Sequence, residues 1–160
     1  MGTDPIIAVT IGDPAGIGPE VTAKALKHEE TWAGCRPLVI GDARVMQRAA
    51  ELAGGGLTFR AISEPRQARY DPRSPDVLDL ANVDLDAFEP GRVSAAMGRA
   101  AVDYIEKAVA LVQSGEVDAL ATGPINKAAI NAAGVPFIGH TELLADMLGE
   151  PKVTTMLATE

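Results

Sequence analysis

The 160-residue sequence predicts an α/β fold built on a largely parallel sheet, and three observations carry that reading. Ile6-Ile7-Ala8-Val9-Thr10-Ile11 and Pro37-Leu38-Val39-Ile40 are apolar runs rich in β-branched residues and without polar alternation, as strands buried on both faces require. Segments of helical spacing follow those runs in turn, which is the pattern of βαβ crossovers. Hydrophobic residues make up 47% of the chain but aromatics only 4%, a balance that suits helices packed tightly on a sheet better than an aromatic-rich β-sandwich. Length and apolar content together fit one globular domain.

The first strand spans Ile6–Ile11 and runs into Gly12-Asp13-Pro14-Ala15-Gly16-Ile17-Gly18-Pro19-Glu20, where Pro19 and Glu20 suit the first turn of a helix ending near Lys27. A second strand covers Pro37–Asp42, a helix follows over Ala43–Ala53, and Gly54-Gly55-Gly56 closes it. A third strand is expected around Leu57–Ile62. Between residues 63 and 91 lies an irregular excursion carrying Pro65, Pro72, Pro75 and Pro90, within which only Asp76-Val77-Leu78-Asp79-Leu80 reads as a strand. The longest helix should run from Ser94 to Ser114, with Val102, Ile105, Val109 and Val112 on its packing side and an Asp103–Lys107 pair on its surface. A strand at Asp118–Ala121 comes next, then a helix opened by Pro124 and ended by Gly134. Gly139-His140-Thr141-Glu142 opens another helix, with Thr141 as its N-cap and Leu143, Leu144, Met147 and Leu148 on its buried side. Lys152–Glu160 reads as a final strand with nothing after it to cover it, so the sequence is expected to be the N-terminal part of a longer chain.

The formal net charge of -8 argues against a general nucleic-acid surface or an acidic-membrane surface, so a phosphate-bearing ligand needs a local site. No stretch reaches the roughly 20 apolar residues of a membrane span, and no basic-then-apolar leader opens the chain, so a cytoplasmic protein is expected. Cys35 is the only cysteine, which removes disulfide frameworks and Cys-rich zinc sites and leaves it as a small packing residue. His28 falls at the end of the first helix with no second His or Cys near it, and reads as structural or exposed.

Two loops stand at the carboxyl ends of predicted strands, which is where an open parallel sheet places its ligands. The first has the glycine order G-x-x-x-G-x-G, which is neither the dinucleotide nor the P-loop order; it reads equally as a tight βα turn or an anion loop. The second, Thr122-Gly123-Pro124-Ile125-Asn126-Lys127 running on to Gly139-His140-Thr141-Glu142, offers an amide, a cation, an imidazole and a hydroxyl. Those groups suit an anionic, hydroxylated small molecule, and a turn followed by two helix starts is the structural alternative.

Taken together and in order, Gly12–Glu20, Thr122–Lys127, Gly134–Phe137, Gly139–Glu142 and Met156–Glu160 resemble the N-terminal half of the 4-hydroxythreonine-4-phosphate dehydrogenase family, including its sister D-threonate and D-erythronate 4-phosphate dehydrogenases. The resemblance implies a three-layer α/β/α fold of the isocitrate/isopropylmalate dehydrogenase type, incomplete in this chain because the C-terminal half is absent. It implies a homodimer, NAD, and a divalent metal (zinc, magnesium or cobalt) at a site shared between subunits. The implied reaction is oxidation, with decarboxylation, of 4-phosphooxy-L-threonine in pyridoxal phosphate (vitamin B6) biosynthesis. The alternatives are oxidation of D-threonate or D-erythronate 4-phosphate in sugar-acid catabolism, and a non-catalytic phospho-ligand-binding module. By the resemblance, His140 and Thr141 are substrate-binding, and Lys127 and Asp13 stand at motif positions of the same site. His28 and His140 are the only histidines, so no His-based metal site is expected in this chain, and by itself it is expected to be inactive.

Overall fold

The computed structural model describes residues 4–136, 139–149, 154 and 156. Five parallel strands form one sheet in the order β3-β4-β2-β1-β5: β1 is Ile6–Thr10, β2 Arg36–Gly41, β3 Arg60–Ile62, β4 Asp76–Asp79 and β5 Ala119–Thr122. The most apolar run of the sequence lies inside the sheet, with Ala8 opposite Leu38 on β2 and Leu120 on β5. Registers end level, because Thr10 faces both Ile40 and Thr122, so the loops leaving β1 and β5 start side by side.

Helices α1 (Gly18–Ala25) and α2 (Ala43–Leu52) pack on each other, while α3 (Ala95–Ser114) lies across β1, β2 and β5 and carries α4 (Lys127–Ala132) and α5 (His140–Leu148). The connection through α1 steps from β1 to β2, and the connection through α3 steps from β4 back to β5 beyond β1. Right-handed crossovers in opposite directions place their helices on opposite faces, giving three α/β/α layers. β1 and β5 therefore flank the point where the winding reverses, which is where an open parallel sheet places its ligands.

α3 buries two stripes. Met97, Ala100, Tyr104, Ala108 and Leu111 belong to the main core, whereas Val102 meets Ile130 of α4 in a smaller cluster to which Leu143 and Met147 of α5 are joined. Of the Val102, Ile105, Val109 and Val112 spacing seen in the sequence, Val102 marks the second stripe, Val112 packs against the main core, and Ile105 and Val109 are buried. Gly98, inside this helix, has α4 laid directly on it: an added Cβ would stand 2.1 Å from the Ala129 carbonyl oxygen.

Several expectations are corrected. Pro124 does not open α4; Asn126 caps it, its side-chain oxygen accepting from the N–H groups of Ala128 (3.0 Å) and Ala129 (3.2 Å). Thr141 is not the N-cap of α5, because the helix begins at His140 with extended Gly139 before it. Leu148 is 41% exposed rather than buried. Asp103 pairs with Arg99 at 2.7 Å, one turn towards the N-terminus, and accepts from Asn82 at 2.9 Å, rather than pairing with Lys107. His28 is exposed, one of the two readings the sequence allowed, at the start of a short 3-10 turn over Glu29–Trp32. Most of the predicted last strand, Lys152–Glu160, and the Phe137-Ile138 pair lie outside the described residues.

The excursion between residues 63 and 91 contributes β4 to the middle of the sheet, and buried carboxylates anchor both its ends. Asp76, fully buried, accepts from the N–H groups of Arg69 (2.6 Å) and Tyr70 (2.8 Å) and pairs with Arg60, bending the chain so that Tyr70 takes a φ of 55°. Asp42, also fully buried, caps α2 through Arg44 and Val45 and accepts from Val83 N–H at 3.2 Å. Burial alone would raise the Asp42 carboxyl, but the Arg44 guanidinium and the Val83 and Val45 amides outweigh it and hold the group below the ordinary carboxylate range.

Candidate functional site

The crevice between β1 and β5 is organised on two consecutive residues, Gly123 and Pro124. Gly123 N–H donates to the Thr10 carbonyl at 2.8 Å and lies 3.3 Å from the buried Thr10 hydroxyl, which extends the β1–β5 ladder one step past the strands. The Pro124 carbonyl accepts the Asp13 N–H at 3.0 Å. At this crossing Gly12 has a φ of 72°, and a Cβ there would sit 2.1 Å from the Pro124 oxygen, so the approach of the loops requires glycine. The two loops that the sequence separates by more than a hundred residues are one structural unit.

The carboxylate of Asp13 is turned onto its own loop. The side chain is buried, one oxygen accepts the Ala15 N–H at 2.9 Å, and the Asp13 carbonyl accepts Gly16 N–H at 3.0 Å. Burial raises the carboxyl above its ordinary value, and the two amides oppose that rise in part. Of the two readings of the glycine loop, this geometry is that of a tight βα turn: Asp13 occupies amides that an external anion would need. Beyond the loop, Pro14, Ile17, Leu52, Phe88 and Arg48 line a mainly apolar cavity of about 330 Å³, with the Arg48 guanidinium 5.5 Å from the Phe88 ring centre. Lys127, His140 and Thr141 are not part of its walls.

His140 is the first residue of α5 and is half-buried. Burial pushes the imidazole below its ordinary pKa, and a hydrogen bond to the Gly123 backbone opposes this in part. That bond favours the protonated ring, so the ring donates and the carbonyl accepts. At neutral pH His140 is therefore a neutral hydrogen-bonding group. Thr141 follows in the same first turn and is exposed, and the N-cap residue Gly139 has no side chain with which to cap α5. Lys127 is exposed on the first turn of α4, four residues after Gly123. The Asn126 amide oxygen serves as a helix cap rather than as a ligand group.

The structure thus brings Asp13 and His140 onto the same Gly123–Pro124 hub, with Thr141 and Lys127 on the first turns of α5 and α4. The hub itself acts through backbone carbonyls, which side-chain identity does not reveal; the glycines at 12 and 123 were the only sequence signal for it. Among the described residues no three His, Cys, Asp or Glu side chains converge as a metal site, and no helix is long and apolar enough to cross a membrane.

Residues 33–160 match the family described as "Pyridoxal phosphate biosynthetic protein PdxA". The D-threonate 4-phosphate dehydrogenase of Cupriavidus necator is 46% identical over 153 residues, covering 96% of this chain and 46% of that protein. The crystal structure of a 4-hydroxythreonine-4-phosphate dehydrogenase from Burkholderia phymatum superposes with a TM-score of 0.94 at 44% identity, over 99% of this chain and 48% of that one. The Klebsiella pneumoniae 4-hydroxythreonine-4-phosphate dehydrogenase gives 0.83 at 38% identity, over 91% and 44%. The chain spans about half the length of the curated relatives it matches. With the family match running from residue 33 to residue 160 and the fold superposing nearly end to end, the chain belongs to the PdxA family.

Proposed function

We propose that the complete gene product is an NAD-dependent, metal-dependent dehydrogenase that oxidises the secondary alcohol of a four-carbon hydroxy acid 4-phosphate, and that it works as a homodimer. The observation that carries this reading is the start of α5, where His140 bonds to Gly123 and exposed Thr141 follows it, in a chain 46% identical to a D-threonate 4-phosphate dehydrogenase. His140, neutral and with its one ring N–H given to Gly123, presents an acceptor nitrogen to a substrate hydroxyl without adding charge. The Thr141 hydroxyl and the α5 amides add donors, and Lys127 supplies the positive charge that an anionic substrate needs. In such an oxidation NAD accepts the hydride and a divalent metal polarises the reacting oxygen. The described residues do not fit either group: no metal-ligand cluster forms among them, and the Ala15 and Gly16 amides are taken by Asp13. Neither group is assigned to them.

Two substrates share this skeleton and differ at carbon 2, which bears an amino group in 4-phosphooxy-L-threonine and a hydroxyl in D-threonate 4-phosphate. The Burkholderia and Klebsiella structures favour the first, of the vitamin B6 pathway, and the Cupriavidus relative favours the second. NADH production by the complete gene product, with added divalent metal and each substrate in turn, separates them. Turnover of one at least about tenfold faster in kcat/KM is expected, since a site that recognises one carbon-2 group leaves polar atoms unpaired against the other. Binding of either substrate without NADH production would instead support a phospho-ligand-binding module.

A further inference from the structure

We infer that Asp13 is a positioning residue, which shapes the Gly12–Glu20 loop and through it holds the Gly123–Pro124 hub and the His140 ring, rather than a group that touches the substrate. The inference rests on the reading of His140 as a substrate contact, and it differs from the role that the motif position of Asp13 suggests.

The geometry runs in one direction. The Asp13 carboxylate closes a turn on Ala15 N–H (2.9 Å), and its backbone carbonyl takes Gly16 N–H (3.0 Å). An Asp side chain that binds the amide two residues on fixes the backbone in a turn. Fixed in that turn, the Asp13 N–H points at the Pro124 carbonyl (3.0 Å). The preceding Gly12 leaves no room for the loops to slide, as its missing Cβ would overlap the same oxygen. Pro124 follows Gly123 directly, and the Gly123 carbonyl receives the His140 imidazole. The side chain of Asp13 is only 4% exposed, so it has little surface to offer a ligand, and one of its oxygens is engaged inside the loop.

A turn of this kind needs an acceptor oxygen and not a negative charge, which makes the role testable. In the complete gene product, Asp13→Asn keeps the oxygen and removes the charge, Asp13→Ser keeps a shorter acceptor, and Asp13→Ala removes it. Two measurements are made on each: the pH titration of the His140 imidazole by proton NMR, which needs no substrate, and KM and kcat with whichever substrate is turned over. Asp13→Asn is expected to leave the His140 midpoint where it is in the native protein and KM within about threefold. Asp13→Ala is expected to release the ring, so that its midpoint rises towards the ordinary imidazole value, and to raise KM by about tenfold with a smaller change in kcat. Should Asp13→Ala not fold, Asp13→Ser stands in its place, with a smaller shift in the same direction. The inference is overturned if Asp13→Asn loses kcat as severely as Asp13→Ala while the His140 titration stays native in both, since the carboxylate would then be acting directly. It is overturned equally if the alanine and serine variants leave both His140 and KM unchanged. If no substrate is turned over by the native protein, the dehydrogenase reading fails while the titration still decides the positioning of His140.

Discussion

Gly98→Ala is expected to destabilise the protein by about 2–3 kcal/mol, although in an ordinary helix interior the same change would stabilise it by about 1 kcal/mol. The sign is reversed by what lies opposite. A Cβ at position 98 would stand 2.1 Å from the Ala129 oxygen, 2.2 Å from its carbonyl carbon and 2.6 Å from the Ile130 nitrogen, all backbone atoms of α4 that have no rotamer to yield. Relief requires α4 to move off α3, which would withdraw Ile130 from its contact with Val102 and disturb Leu143 and Met147 of α5, packed on the same cluster. Lys127 and His140 ride on those two helices, so the Michaelis constant should rise along with the loss of stability. Urea unfolding of the complete gene product measures the first effect and steady-state kinetics the second. A stability gain near 1 kcal/mol would show that α3 and α4 are not in backbone contact.

Gly12→Ala is expected to cost about 3 kcal/mol, from two additive sources. Residue 12 has a φ of 72°, a left-handed conformation that costs an L-residue about 1 kcal/mol or more. The new methyl would also lie 2.1 Å from the Pro124 oxygen, the atom that accepts the Asp13 N–H. The two loops of the crevice can no longer touch at this point, so stability and substrate binding should fall together. Denaturant midpoints decide it: a loss below about 1 kcal/mol would mean that the loops do not meet as described.

Much of this architecture was legible in the sequence because burial on both faces leaves an unambiguous signature. Ile6–Thr10 and Arg36–Gly41 lie inside the sheet, where unbroken apolar runs belong, and α3 appears within a residue of its expected limits because Ser94 caps it and Gly115 ends it. The parts misread were those settled by tertiary contact. Pro124 has the right chemistry for a first helical turn, but its carbonyl is held by Asp13, and the helix waits for Asn126. Thr141 is a favoured cap residue, yet α5 begins one residue earlier, at His140, whose ring is drawn to Gly123. The Asp13–Pro124 contact at the centre of the hub joins backbone atoms more than a hundred residues apart in the chain, and no local periodicity encodes such a contact. The residues proposed for the substrate site were visible as residue types; that Asp13 faces inward and His140 is neutral required the fold.

The central claim is that the first turn of α5 holds the phosphorylated substrate, and the Michaelis constant of His140→Ala and Thr141→Ala in the complete gene product tests it most directly. Each substitution removes a polar contact to a charged ligand, so each should raise KM by about tenfold, the equivalent of roughly 1.4 kcal/mol, while the unfolding midpoint changes little at exposed Thr141. Native Michaelis constants in both variants would contradict the account.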